Sequence, residues 1–275
     1  MGIPFYKMQG AGNDFIVLNN LELGFTKERL AELAKRVCQV KLSVGSDALM
    51  VVDRPEHGGH VRMIFFNADG TEAEMCGNGA RCLARFAYET GLAPAEMVIE
   101  TVAGDVKAWR LDQRKYKVQL NAPTKIELDL AFDDEVVTKV DYIELGDPAI
   151  PHLVVHYPGL SLIPLTDIRE LATRLRFWEE LPKGANVNFY ELLDNGEVLV
   201  RTFERGVEDF TFACGTGSGS TALVLTKKAL VTKNPVVLHV LGGILEVEVF
   251  PEALNLIGDT NIVVIGEITD EDVQF

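Results

Sequence analysis

The sequence predicts an α+β protein built from two similar halves, and three observations carry that reading. Strand-like segments outnumber helix-like ones throughout the chain, with helices interspersed rather than strictly alternating. The pattern Cys-Gly-x-Gly occurs twice, at 76–79 and 214–217, the two cysteines lying 138 positions apart in a chain of 275 residues. Each copy starts a helix-like run, so each half reads as several strands around one helix that begins at glycine.

The elements follow in order. In the first half, strands are expected at 14–18, 48–52, 61–66, 96–101, 105–111 and 115–120, from short apolar or alternating runs bounded by turn residues. A helix is expected over 27–39 after Thr26, and another over 78–90. The second carries Leu83, Phe86 and Ala87 at helical spacing and ends at Gly91, a natural residue for a left-handed C-terminal turn. In the second half, strands are expected at 151–157, 187–192, 197–204, 235–241, 244–249 and 261–266. Helix 168–178 follows Asp167 with Glu170 three residues on, which resembles a capping box. Helix 217–229, with Ala222, Leu223 and Val224, is apolar on most sides and is expected to be buried within its own sheet. The segment NAPTKIELD at 121–129 is the best boundary. It gives domains of 1–122 and 123–261, with a C-terminal strand near 262–275 completing the first.

The repeat is ordered along the chain. VRMIFFNADGTEAEMCGNG (61–79) and VRTFERGVEDFTFACGTG (200–217) both run from a Val-Arg strand through a turn to the cysteine. Ala103-Gly104 and Gly242-Gly243 mark glycine turns between alternating strands at an offset of 139. GNDFIVL (12–18) and PHLVVHY (151–157) align at the same offset, with His152 against Asn13.

Composition narrows the function. Hydrophobic residues make up 47% of the chain, enough for a sizeable core. With 26 basic against 41 acidic residues the net charge is −15, which argues against a nucleic-acid partner and against anionic lipid. No apolar run of about 18 residues is present, so no membrane span is expected. The start, MGIPFYKMQG, lacks a signal-peptide layout, and Tyr6 breaks the myristoylation pattern. A cytoplasmic address is the default. Four cysteines are too few for a disulfide scaffold at this length. Cys38 reads as core and Cys82 as helix packing. Cys76 and Cys82, six apart, suit neither a redox pair nor a zinc half-site. His57 and His60 read as a surface loop, so no metal site is expected. Ser218, Ser220 and Thr221 read as helix-start residues, not nucleophiles.

A thiol at a helix N-terminus ionises readily, because backbone N–H groups and the positive end of the helix dipole stabilise the thiolate. The same N–H groups can hold a carboxylate or phosphate. Three functions could use two such sites. The thiols could move protons at a carbon next to a carboxylate, form a redox pair, or be incidental to phosphate-binding glycine turns. Neither turn fits a known phosphate motif. The long separation weakens the redox reading, although oxidation could still join thiols that sit close together. Proton transfer explains why both halves carry the same device.

The segments GAGNDFIVL (10–18), FFNADGTEAEMCGNGARC (65–82), GANVNF (184–189) and FERGVEDFTFACGTG (203–217) together resemble the diaminopimelate epimerase family of racemases. The resemblance spans most of the chain. It implies two similar α+β domains, each a β-barrel-like sheet around a central helix, with the active site in the cleft between them. It implies no cofactor, pyridoxal phosphate included, and a small amino-acid substrate with a carboxylate. Family members are often dimeric, so a homodimer is allowed for, although no interface signal is legible here. By the same resemblance, Cys76 and Cys214 are the two acid/base residues. Asn13, Asn67, Asn186, Glu204 and Arg205 contact the substrate's amino and carboxylate groups. Gly77-Asn78 and Gly215-Thr216 supply N–H donors to its carboxylate, and His152 and Glu204 adjust the thiol pKa values. Judged alone, Asn13, Asn67 and Asn186 could serve only local turns, and Glu204-Arg205 could be a solvated pair.

Two positions depart from the family pattern. Ala48 stands where a glutamine is common after the aspartate of the G-x-D loop, and Ile150 where an asparagine commonly precedes Pro-His. Neither can hydrogen-bond the distal end of diaminopimelate, which lowers discrimination for it. L,L- to meso-diaminopimelate conversion, a step toward lysine and peptidoglycan, is the leading expectation. Racemisation of another amino acid such as histidine is the alternative, and a thiol–disulfide redox protein the alternative of a different class.

Overall fold

The structure, a computed structural model, describes residues 2–73 and 75–269. The chain forms two compact units, one from the segment up to Val118 together with the segment from Gly258 onward, the other from Gln119–Ile257. In chain order the first unit holds β1 (Ile3–Gly10), β2 (Asn13–Asn19), α1 (Asn20–Leu23), α2 (Lys27–Val37), β3 (Ala48–Asp53), β4 (Val61–Asn67), α3 (Gly77–Glu89), β5 (Glu96–Thr101), β6 (Gly104–Arg110) and most of β7 (Lys115–Leu120). The second holds β8 (Pro123–Ala131), β9 (Lys139–Leu145), β10 (Ile150–His156), α4 (Arg169–Arg176), β11 (Asn186–Leu192), β12 (Val198–Glu204), β13 (Asp209–Thr211), α5 (Gly215–Lys227), β14 (Val236–Val240), β15 (Gly243–Val249) and most of β16 (Leu254–Asp259). Strand β17 (Asn261–Ile268) returns to the first unit and pairs antiparallel with β1. The part of the expected C-terminal strand at 270–275 lies outside the described residues.

The two units repeat one topology. β1–β2 are antiparallel, β2–β3 parallel, β3–β4 antiparallel, β4–β5 parallel and β5–β6 antiparallel. β9–β10, β10–β11, β11–β12, β12–β14 and β14–β15 follow the same sequence of directions. The ladder registers also correct the sequence alignment. Phe15 pairs with Ala48, and Ala48 with Asn67. His152 pairs with Asn186, and the pairing of Val187 with Phe203 puts Asn186 at the level of Glu204. The counterpart of His152 is therefore Phe15, not Asn13. A slip of two residues keeps every side chain on the same face of a strand, so the hydrophobic pattern could not detect it.

Every strand expected from the sequence is present, and β1, β8, β9, β13 and β16 are additional. The segment 121–129, expected as the boundary between halves, is largely strand: β8 pairs with β9, with irregular register between Glu127 and Leu130, where Asp129 has φ 58°. Lys125, Glu127 and Asp129 alternate with Ile126, Leu128 and Leu130, the period of a strand, so the sequence carries a signal for this element. The capping box at Asp167 is absent as well. Residues Leu165–Ile168 form a 3₁₀ turn, and Ile168 precedes α4 with no side-chain cap. Thr26 does cap α2, its hydroxyl accepting from Arg29 N–H.

Each sheet buries both faces. In the first unit Ile16, Leu18, Leu49, Val51, Ile64 and Phe66 pack with Leu30, Leu33 and Val37 of α2. Their sequence neighbours Phe15, Val17, Met50 and Phe65 are also buried, as strand alternation requires when α3 covers the other face. In the second unit Leu153, Val155, Val187 and Phe189 pack with Ala172 and Leu175 of α4, while α5 lies against β10, β11 and β15. Almost all of α5 is buried, in line with its apolar surface on every side. Among the described residues no helix is long and apolar enough to cross a membrane.

The loop holding His57 and His60 is tied down by Glu100 of β5. Its carboxylate accepts from the backbone N–H groups of Glu56 (2.6 Å), His57 (2.7 Å) and Gly59 (2.8 Å). Burial alone would raise its pKa, but these bonds outweigh burial and hold it below the ordinary carboxyl value. The stability they provide is present above the unfolded-state pKa of about 4.3 and is lost as pH falls through the lower folded value. Thermal melts of Glu100→Gln should therefore fall below the wild type at neutral pH, with the gap closing in acid. A gap independent of pH would show that the charge has no part in it.

Candidate active site

In the first unit the hairpin between β1 and β2 turns through Ala11 (φ 53°) and Gly12 (φ 91°). Two successive positive φ values are those of a type I′ turn, the two-residue connection whose twist suits a hairpin. It places Asn13 at the start of β2, where its side chain is held from two sides. Asn78 Nδ2 donates to Asn13 Oδ1 (2.6 Å), and Asn13 Nδ2 donates to Asp47 Oδ2 (3.3 Å). Asp47 is itself fixed by reciprocal bonds with Asp14, and Lys7 forms an ion pair with Asp14. Gly10 lets this hairpin approach α3 closely, since a Cβ there would meet Asn78 O and Cys82 Sγ, both at 3.2 Å.

Cys76 is the N-cap residue of α3, in extended conformation and half-buried. The first helical bond runs from Ala80 N–H to Cys76 O (2.7 Å), so the N–H groups of Gly77, Asn78 and Gly79 lie outside the helix ladder. Asn67, at the exposed end of β4, donates to Thr71 Oγ1 (3.0 Å), which sets its amide within a tight turn. Within α3, Arg81 is fully buried; Nη1 donates to Gly77 O (3.4 Å), and its charge acts on Cys82 and Cys76. An arginine keeps its proton even so. Burial pushes the Cys82 thiol up to about 12, so it is a packing group. Cys38 is likewise buried and raised by burial.

The second unit repeats the device. Cys214 caps α5 in extended conformation; its Sγ accepts from Gly217 N–H (3.4 Å) and lies 3.6 Å from Thr216 Oγ1. Ser218 N–H to Cys214 O (2.9 Å) is the first helical bond. Asn186 ties neighbouring strands: Nδ2 donates to Pro151 O (3.2 Å), and Oδ1 accepts from Arg205 N–H (2.9 Å). The amide is thus held through both its nitrogen and its oxygen. Glu204 ends β12 beside Arg205, whose Nη1 donates to Lys183 O (3.3 Å). His152 is fully buried, and burial, aided by the charge of Arg205, lowers its pKa to about 3. It is therefore a neutral ring at pH 7.

The family model described as diaminopimelate epimerase matches residues 5–126 and again 147–268, once in each half. A protein named diaminopimelate epimerase from Aquifex aeolicus (strain VF5) is 39% identical over 287 residues, covering 99% of this chain and 100% of that one. This chain belongs to the diaminopimelate epimerase family. Another relative of that name, from Hydrogenobaculum sp. (strain Y04AAS1), is 36% identical and covers 96% of this chain and 98% of its own. Among solved structures, a hydroxyproline epimerase from Agrobacterium vitis superposes with a TM-score of 0.70 at 15% identity, over 97% of this chain and 92% of that one, and shows the shared fold.

The two positions that depart from the family pattern sit at strand starts. Ala48 opens β3, is 2% exposed and pairs with Asn67; Ile150 opens β10. His57 and His60 belong to the Glu100 loop, and His60 Nδ1 accepts from Val98 N–H (3.0 Å). Among the described residues no group of His, Cys, Asp and Glu could hold a metal ion. Sequence reasoning missed Asp47, Arg81, Asn188 and Thr202. For Asn188 a signal exists: it lies two residues beyond Asn186, and period-two alternation puts both on one face of β11.

Proposed function

We propose that this member of the family is a cofactor-independent diaminopimelate epimerase that converts L,L- to meso-diaminopimelate. One thiolate of the Cys76/Cys214 pair takes the α-hydrogen as a proton, the electron pair of the C–H bond staying on carbon. The other thiol gives its proton to the opposite face. One cysteine ends as thiol and the other as thiolate, so the roles exchange with direction. N–H groups of Gly77, Asn78, Gly215 and Thr216 stabilise the charge that builds on the carboxylate. Asn13, Asn67, Asn186, Glu204 and Arg205 hold the amino and carboxylate groups. The observation that carries this reading is a thiol at the N-cap of a glycine-started helix in each unit, in a chain 39% identical over nearly its whole length to an enzyme of that name. With it go a cytoplasmic address and a place in lysine and peptidoglycan precursor synthesis.

The buried apolar Ala48 beside Asn67, together with Ile150, favours one second reading, racemisation of another amino acid such as histidine. A panel of L-amino acids that includes L,L-diaminopimelate, incubated in deuterated water and resolved by chiral chromatography, separates the two. Inversion of diaminopimelate with one solvent deuterium in the product is the expected result. Preference for another amino acid would move the assignment to the second reading. Disulfide reductase activity without any inversion would overturn both.

A further inference from the structure

The repeat exposes a difference between the halves beneath the two glycine turns. In the first unit the positions are Phe15, Met50 and Phe65, all apolar and buried, with the two rings edge to face at 6.3 Å. In the second unit the same places in the ladder hold His152, Asn188 and Thr202, equally buried. Thr202 Oγ1 donates to Asn188 Oδ1 (3.0 Å), and Asn188 Nδ2 donates to Leu153 O (2.9 Å) and faces His152 Nδ1 at 3.3 Å.

This chain of bonds has one consistent set of hydrogens. A backbone carbonyl can only accept, so the Leu153 bond fixes which end of the Asn188 amide carries nitrogen. The second hydrogen of that nitrogen then points to His152 Nδ1, which must be the acceptor. The proton of the neutral ring is therefore on Nε2. His152 Nε2 is buried and has no hydrogen-bond partner among the described residues. Leaving a buried N–H without an acceptor costs free energy, so its place calls for an explanation.

We propose that Asn188, held by Thr202, is a positioning residue that locks His152 in the Nε2–H tautomer and so reserves one uncharged N–H donor for an acceptor that arrives with the substrate. The proposal deepens the epimerase reading and rests on it for the identity of that substrate. The lowered pKa of His152 agrees with a ring that stays neutral, and Arg205 is the charged group acting on it.

The test uses the full chain labelled with ¹⁵N-histidine, with His152→Gln assigning its signal among the five histidines. The wild type should show a bare Nδ1 and a protonated Nε2, unchanged from about pH 6 to about pH 8, where an ordinary imidazole titrates. Asn188→Leu should release the tautomer and lower kcat about tenfold or more with a smaller change in KM. Thr202→Val should do the same more weakly, and Thr202→Ser should restore the wild-type signal and rate. Should Asn188→Leu fail to fold, the wild-type spectrum and the Thr202 pair carry the test. A wild-type ring protonated at Nδ1, or titrating in that range, overturns the proposal, as does an Asn188→Leu protein with unchanged tautomer and kcat. A locked Nε2–H ring in a protein that inverts no amino acid would support the tautomer assignment and overturn the functional reading instead.

Discussion

Cys76→Ala and Cys214→Ala are each expected to lose stereoinversion by at least 10²–10⁴-fold, about what a positioned general acid or base contributes. Each variant should still exchange one of the two stereoisomers with solvent. The remaining thiolate can remove the α-proton it faces and return a deuteron from the same side, but no group is left to protonate the opposite face. Exchange should thus survive for one isomer with its configuration retained, and the two variants should differ in which isomer that is. Cys→Ser should resemble Cys→Ala, because a hydroxyl is a far weaker acid than a thiol and is not ionised near neutral pH. Folding should be little affected, since Cys76 is only half-buried and both residues lie at helix starts. The measurement is deuterium content and configuration of each diaminopimelate isomer by mass spectrometry after chiral separation. Continued inversion by either single variant at near wild-type rate would exclude the two-thiol mechanism.

Much of this site is legible in the sequence because its parts are local. The cysteine, the glycines after it and the helix they start are contiguous, and capping geometry follows from those residues alone. Most strands are legible for the same reason, each being a short apolar run between turn residues. What stays hidden depends on register. Asn188 meets His152 only through the alignment of β10 with β11, and Thr202 joins them through that of β11 with β12. Taken singly, Asn188 in GANVNF and Thr202 in VRTFE read as ordinary strand residues. Arg81 is hidden for a different reason. A charged residue one turn into a helix is expected at the surface, and the close approach of the hairpin at Gly10 buries it. Strand β8 does carry a signal, Lys125, Glu127 and Asp129 alternating with Ile126, Leu128 and Leu130, but it falls in the segment that also marks the boundary between halves, and its pairing with β9 defines it.

Gly79 and Gly217 occupy equivalent places in α3 and α5, and alanine should be tolerated at the first far better than at the second. An added Cβ at Gly79 would lie 2.8 Å from the Met50 sulfur, the adaptable end of a flexible side chain. At Gly217 the Cβ would fall well inside contact distance of Asn188 Oδ1 and 3.2 Å from the Cys214 Cβ. Asn188 has no freedom to retreat, because Thr202, Leu153 and His152 bond it at once. Overpacking costs about 1–3 kcal/mol, and breaking a buried polar group from its partner about 1–3 kcal/mol more. Relief of glycine entropy in a helix returns only about 1 kcal/mol. Gly217→Ala should therefore lose about 1–5 kcal/mol in denaturant melts, while Gly79→Ala should lie within about 1 kcal/mol of the wild type. Gly217→Ala should also lose activity even where it folds, since displacing Asn188 displaces His152 and the Gly217 N–H that bonds the Cys214 sulfur. The double variant Gly217→Ala/Asn188→Ala removes the obstructing amide and should recover part of the stability without recovering activity. Equal losses at the two glycines would mean that the polar network under α5 yields as easily as the thioether under α3, and the rigidity assigned to Asn188 would be wrong.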